Sequence, residues 1–147
     1  MIQLPPDFKE LLNLLNSNNV KYLVVGGYAV AFHGYPRTTG DIDIWTSNDS
    51  DNVRKLMVAL KEFGFDVPEY EKTRFLTEKR ILRMGFPPLR VELMNSISGV
   101  EFQSCFESKH MVVLEDIEVS FINLDDLKTY KKASGRHQDL NDLEKLP

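Results

Sequence analysis

The chain has 147 residues, 42% hydrophobic and 27% charged, with a net charge of −4; this is an ordinary globular composition and suits one domain over residues 1–147 with a real core. The acidity argues against a basic protein that coats nucleic acid, though not against a local basic groove. The lone Cys105 excludes an internal disulfide, no apolar run approaches the roughly 20 residues of a membrane helix, and MIQLPPDFKE is neither signal nor transit peptide, so a reducing cytoplasm is expected.

Pro5-Pro6-Asp7 reads as a helix start, and Phe8, Leu11, Leu12 and Leu15 follow at helical spacing until Ser17-Asn18-Asn19. Tyr22 to Val25 is a buried-strand candidate that Gly26-Gly27 breaks. Ala29 to His33 reads as a short helix ended by Gly34-Tyr35-Pro36. Asp41 to Thr46 alternates carboxylate and hydrophobe, which is strand periodicity. Capping residues Ser47 to Asp51 precede Val53, Leu56, Met57, Leu60 and Phe63, an amphipathic helix closed by Gly64.

Thr73 to Leu76, Ile81 to Phe86 and Leu89 to Met94 all read as strands, with Pro87-Pro88 as the tight link between the last two. Ile97 to Lys109 is ambiguous, with room for a short helix. Met111 to Leu114 and Glu118 to Ile122 predict a hairpin around Glu115-Asp116. Asp125 opens a helix through Ala133, Ser134-Gly135 interrupts it, and Asp139 to Leu146 adds a last turn or two. The sum is an α/β (α+β) pattern: a mixed sheet flanked by helices.

Asp41 and Asp43 lie two apart on a strand, so both carboxylates share one face while Ile42 and Ile44 point into the core. Like charges that close repel unless a cation lies between them. Paired hard oxygen ligands suit Mg²⁺, which takes one or two carboxylates plus phosphate oxygens; solvated aspartates on an edge strand are the plainer alternative. Gly26-Gly27, between strand and helix, lets a phosphate approach the backbone near free N–H groups, or is simply a turn. Arg37, Thr38 and Thr39 either steer phosphate charge or solvate a loop. Glu92, mid-strand in Leu89-Arg90-Val91-Glu92-Leu93-Met94, is the best third acid, because a carboxylate among apolar neighbours is costly without a cation or a hydrogen-bond partner. Lys131 offers a point charge for phosphate, with a solvated basic face shared by Lys128 and Lys132 as the competitor. Asp139 and Asp142 read as helix caps or surface charges. His33, His110 and His137 lack zinc-ligand spacing, and Cys105 reads as structural.

Gly26-Gly27 followed by Arg37-Thr38-Thr39-Gly40-Asp41-Ile42-Asp43 resembles the signature of the nucleotidyltransferase superfamily that includes DNA polymerase β. The nearest likeness is to small bacterial members of the abortive-infection (AbiEii-type) toxin kind. The C-terminal order Leu124-Asp125-Asp126-Leu127, Lys131, Gly135-Arg136, Asp139-Leu140 and Asp142-Leu143 is similar too. The resemblance implies two Mg²⁺ ions held by Asp41, Asp43 and Glu92, and an NTP with its phosphates at Gly26 and Gly27. It places Arg37, Thr39 and Lys131 around that nucleotide and makes Asp139 a following acid of the toxin branch. It implies transfer of an NMP to an unknown acceptor (RNA or tRNA, protein, or small molecule) and a cognate antitoxin-type partner. Arg74, Lys79, Arg80 and Arg83 are candidate contacts for a tRNA end, or else a solvated face. The chain departs from the pattern twice: Gly27 stands where many active members have serine, and the third acid is glutamate where aspartate is more usual. The alternative reading is a weakly active or non-catalytic module of this fold that binds a partner protein.

Overall fold

Proline and glycine punctuation, with apolar residues at helical or alternating spacing, sets the order of elements in the computed structural model, which describes residues 3–37, 39–86 and 89–147. Thr38 and the Pro87-Pro88 link lie outside the described residues. Helix α1 (Pro6–Ser17) starts on proline and buries Phe8, Leu11, Leu12 and Leu15. Strand β1 (Tyr22–Val25) is buried throughout, and β2 (Asp41–Thr46) alternates until its buried end. Helix α3 (Ser50–Glu62) is capped by Asp49, whose side chain accepts from the Asn52 N–H. The hairpin β3 (Ile81–Phe86) and β4 (Leu89–Met94) lies where the alternation predicts. A short helix α5 (Phe102–Glu107) resolves the ambiguous stretch. Strands β5 (His110–Leu114) and β6 (Ile117–Phe121) turn on Glu115 and Asp116, both at positive φ.

Two expectations are corrected. The Gly26-Gly27 pair does not precede a helix but begins one, α2 (Gly26–Phe32), directly after β1. Thr73 to Leu76 is not a strand; it lies in helix α4 (Glu69–Thr77). Pro68 fixes the start of α4, and Arg74 pairs with Glu71 and Glu78 at i,i+3 and i,i+4 spacing. Only Phe75 of this helix is buried, so four residues of β-type composition show no helical stripe to read.

The six strands form one mixed sheet in the order β3-β4-β2-β1-β6-β5. The centre is β1 antiparallel to β2, with β4 parallel to β2 on one side and β6 parallel to β1 on the other. Ile42, Ile44, Val91, Leu93, Leu82 and Met84 are buried on one face of the β2-β4-β3 half. That leaves the alternate residues of the same strands for the other face.

The last two helices, α6 (Leu124–Ser134) and α7 (His137–Lys145), are joined through Gly135, which adopts the left-handed conformation that ends α6. A buried ionic cluster holds them. The Lys131 ammonium, 2% exposed, lies 3.0 Å from Asp139 Oδ1 and 3.0 Å from Asp142 Oδ2. Arg37, from the segment before β2, donates to the two Asp142 oxygens at 2.9 and 3.0 Å. Arg136 donates to Asp139 at 2.7 Å, and Gln138 to Asp142 at 2.9 Å. Asp139 and Asp142 are therefore neither surface charges nor simple caps. Burial pushes the Asp139 carboxyl up, yet hydrogen bonds from Arg136, Ser134 and Lys131 outweigh it and hold the group at about 2. Replacing Lys131 by Met leaves two buried carboxylates short of a cation. We expect urea denaturation at pH 7 to show a loss of about 3–5 kcal/mol, the usual cost of breaking a buried pair.

Candidate functional site

Strand register builds the site. In the parallel β2–β4 pair Asp41 lies opposite Arg90 and Asp43 opposite Glu92. In the antiparallel β3–β4 pair Arg83 lies opposite Glu92. With the hydrophobes turned to the other face, three carboxylates and two guanidiniums share one patch. Arg90 Nη2 donates to Asp41 Oδ2 at 2.9 Å and stands 3.5 Å from Glu92 Oε1. Arg83 Nε donates to that same Glu92 oxygen at 3.3 Å. Among the described residues Asp43 makes no such pair. Burial, then the charges of Glu92 and Asp41, push its carboxyl up to about 7, against smaller opposing pulls from Lys131 and Arg136.

The glycine turn lies against this patch. Gly26 has φ +70°, and a Cβ there would meet Asp43 Oδ2 at 2.0 Å. Position 26 is thus closed to any side chain, both by conformation and by the carboxylate it faces. A Cβ at Gly27 would stand 2.7 Å from Thr39 Oγ1, and that hydroxyl donates to the Asp41 carbonyl at 3.1 Å. The bare backbone at position 27 therefore leaves room for a threonine hydroxyl at the turn.

Of the residues singled out from the sequence, the structure gathers Asp41, Asp43, Glu92, Gly26, Gly27 and Thr39. Arg37 and Lys131 pair instead with Asp139 and Asp142; Lys131 acts on Asp43 through its charge. Two arginines of the possible tRNA face are engaged elsewhere, Arg80 and Arg74 pairing with Glu71. Sequence reasoning missed Arg90 as a partner of Asp41. Its place two residues from Glu92 puts both on one face, but the pairing with Asp41 depends on strand register. Cys105 is buried, and burial first pushes its thiol up to about 12, which suits a structural residue.

The donor set fits a hard divalent cation: oxygen ligands only, on one face, with like-charge crowding already raising one of them. The guanidinium of Arg90 occupies the cationic position between Asp41 and Glu92. Among the described residues no three acidic, histidine or cysteine side chains are gathered closely enough to hold an ion in this arrangement. Glu92 is drawn instead toward the two arginines.

A family model described as a nucleotidyltransferase of unknown function (DUF6036) matches residues 3–146. The chain belongs to this nucleotidyltransferase family. A Thermotoga maritima protein described as a "putative nucleotidyltransferase" has a similar fold, with a TM-score of 0.64 and 18% identity. The match covers 97% of this chain and 94% of that one. It bears out the mixed-sheet nucleotidyltransferase fold expected from the sequence. No curated protein matches the chain. Among the described residues no helix is long and apolar enough to cross a membrane.

Gly26→Ala forces the new methyl group into the Asp43 carboxylate at a positive φ. Chemical denaturation should show a loss of roughly 1–3 kcal/mol, in the range of such backbone strain. Asp43 also gives a pH signature. Its folded pKa lies above the ordinary carboxylate value, so the folded protein holds more protons than the unfolded chain between about pH 4 and 7. Stability should then fall as pH rises through that window, by on the order of 4 kcal/mol in full, and Asp43→Asn should flatten the curve. Asp139, held low, acts with the opposite sign and only below about pH 4.

Proposed function

We propose that this chain is a Mg²⁺-dependent nucleotidyltransferase that moves a nucleoside monophosphate from an NTP to an acceptor hydroxyl or phosphate, releasing pyrophosphate. The supporting observation is the close approach of the Gly26 backbone to Asp43, on the face that also carries Asp41 and Glu92. Asp41, Asp43 and Glu92 would hold the metal. Bound there, Mg²⁺ would lower the acceptor's pKa and neutralise charge on the departing pyrophosphate. The chain's own residues supply placement. Gly26 and Gly27 make room for the Asp43 carboxylate and the Thr39 hydroxyl beside the turn at which the NTP phosphates would lie. The cluster of Arg37, Lys131, Asp139 and Asp142 holds the segment before β2 in register. Phosphoryl transfer calls for such positioning and charge stabilisation rather than for a protein nucleophile.

The resemblance to abortive-infection toxins supports a toxin–antitoxin role, with RNA or tRNA, a protein or a small molecule as acceptor. A second reading, a binding module without turnover, draws support from the arginine pairing of Asp41 and Glu92. Incubating the protein with each α-labelled NTP, Mg²⁺ and cell extract separates the two. Label should pass to one acceptor class, with pyrophosphate released, and Asp41→Asn with Asp43→Asn should abolish the transfer while the circular dichroism spectrum is kept. Turnover undiminished in that double variant refutes the enzymatic reading. No metal-dependent NTP binding, together with tight binding to the product of an adjacent gene, supports the module.

A further inference from the structure

Arg90 differs from Arg37, the arginine of the segment before β2. Arg37 meets Asp142 with two donors in a fork, at 2.9 and 3.0 Å, against a carboxylate buried completely. Arg90 holds Asp41 with Nη2 alone and reaches Glu92 only at 3.5 Å, with a third of its side chain exposed. Its Nε is buried and has no hydrogen-bond partner among the described residues. The guanidinium is thus seated by its charge more than by a full set of bonds. Glu92 is shared with Arg83 at 3.3 Å. The lone pairs that these arginines occupy belong to two of the three carboxylates a cation would need. A divalent metal drawing on the same oxygens, Asp41 Oδ2 and Glu92 Oε1, competes with the guanidinium for them, and a displaced guanidinium can pair with two oxygens of a phosphate instead.

We propose that Arg90 is an exchangeable counter-ion. It bridges Asp41 and Glu92 in the metal-free protein, and it passes to the phosphates of the nucleotide when a divalent cation takes those carboxylates. This rests on the nucleotidyltransferase reading and adds an order to it: metal alone loads against Arg90, whereas metal with triphosphate loads with Arg90 as an added ligand. The two ligands therefore bind with positive coupling.

The test uses Mn²⁺ alone and the Mg²⁺ complexes of α,β-methylene ATP, GTP, CTP and UTP as calorimetric probes. The proteins are wild type, Arg90→Met and Arg90→Lys, with the fold checked by circular dichroism and thermal melting. Arg90→Met should bind Mn²⁺ about tenfold tighter than wild type and the preferred nucleotide complex about tenfold weaker, within the usual span of coupled sites. Arg90→Lys keeps the charge but not the bridge, so it too should bind Mn²⁺ more tightly; it carries the test if the methionine variant fails to fold. Unchanged or weaker Mn²⁺ binding in Arg90→Met overturns the proposal, because Arg90 would then be a fixed part of the site. So does an Arg90→Lys protein that binds Mn²⁺ as wild type does, since net charge alone would then explain the effect. If Arg90→Met binds Mn²⁺ no better than Arg90→Met that also carries Asp41→Asn and Asp43→Asn, the metal reading fails as well, a result distinct from either of those.

Discussion

The buried Lys131 ammonium is the interaction on which the arrangement of this chain turns. It lies between two carboxylates of α7, one of which also grips Arg37 from the segment ahead of β2. One ionic cluster thereby fastens the C-terminal helix pair and the approach to the carboxylate strand. Ion pairs of this kind are costly to desolvate and seldom improve on apolar packing. What they fix is geometry, since each member is positioned by bonds of definite direction. Here the geometry fixed is that of Arg37, two residues ahead of Thr39 and four ahead of Asp41.

The sheet then faces a second electrostatic demand. Asp41, Asp43 and Glu92 share one face, and three negative charges at strand spacing cannot all be left uncompensated. Two solutions coexist. Asp41 and Glu92 take guanidinium partners from neighbouring strands. Asp43, which has none, is driven toward its neutral form by burial and by the other two carboxylates. A carboxyl held near neutrality without a fixed partner is a common mark of a site awaiting a charged ligand.

Most of the framework was legible in the sequence because its signals are local. Alternation gives β2, β3 and β4, and the face on which Asp41 and Asp43 stand. Apolar spacing gives α1 and α3, and the Glu115-Asp116 turn gives the β5–β6 hairpin. Misreadings arose where local signals were thin. Helix α4 has one buried residue, so Thr73 to Leu76 carried no helical stripe. The glycine pair ends β1 as its composition implies, but the helix starts on the pair itself rather than at Ala29. What the sequence could not show is pairing. Nothing near Asp41 announces Arg90, because the two meet only through the parallel register of β2 and β4. Lys131 looked like a free basic residue because its partners, although only 8 and 11 positions on, lie across a helix break that folds back.

The fork between Arg37 and Asp142 closes a separation of 105 residues. Contacts of such span are the slow ones to form, since the chain between them must be ordered before they are rewarded. On a ribosome, strands β1 and β2 emerge long before α7 exists to receive Arg37. The carboxylate strand and glycine turn are then present while the segment carrying Thr39 is still unanchored. The nascent chain thus presents Asp41 and Asp43 long before Asp142, and the segment that carries Arg37 gains its anchor only once α7 has been made.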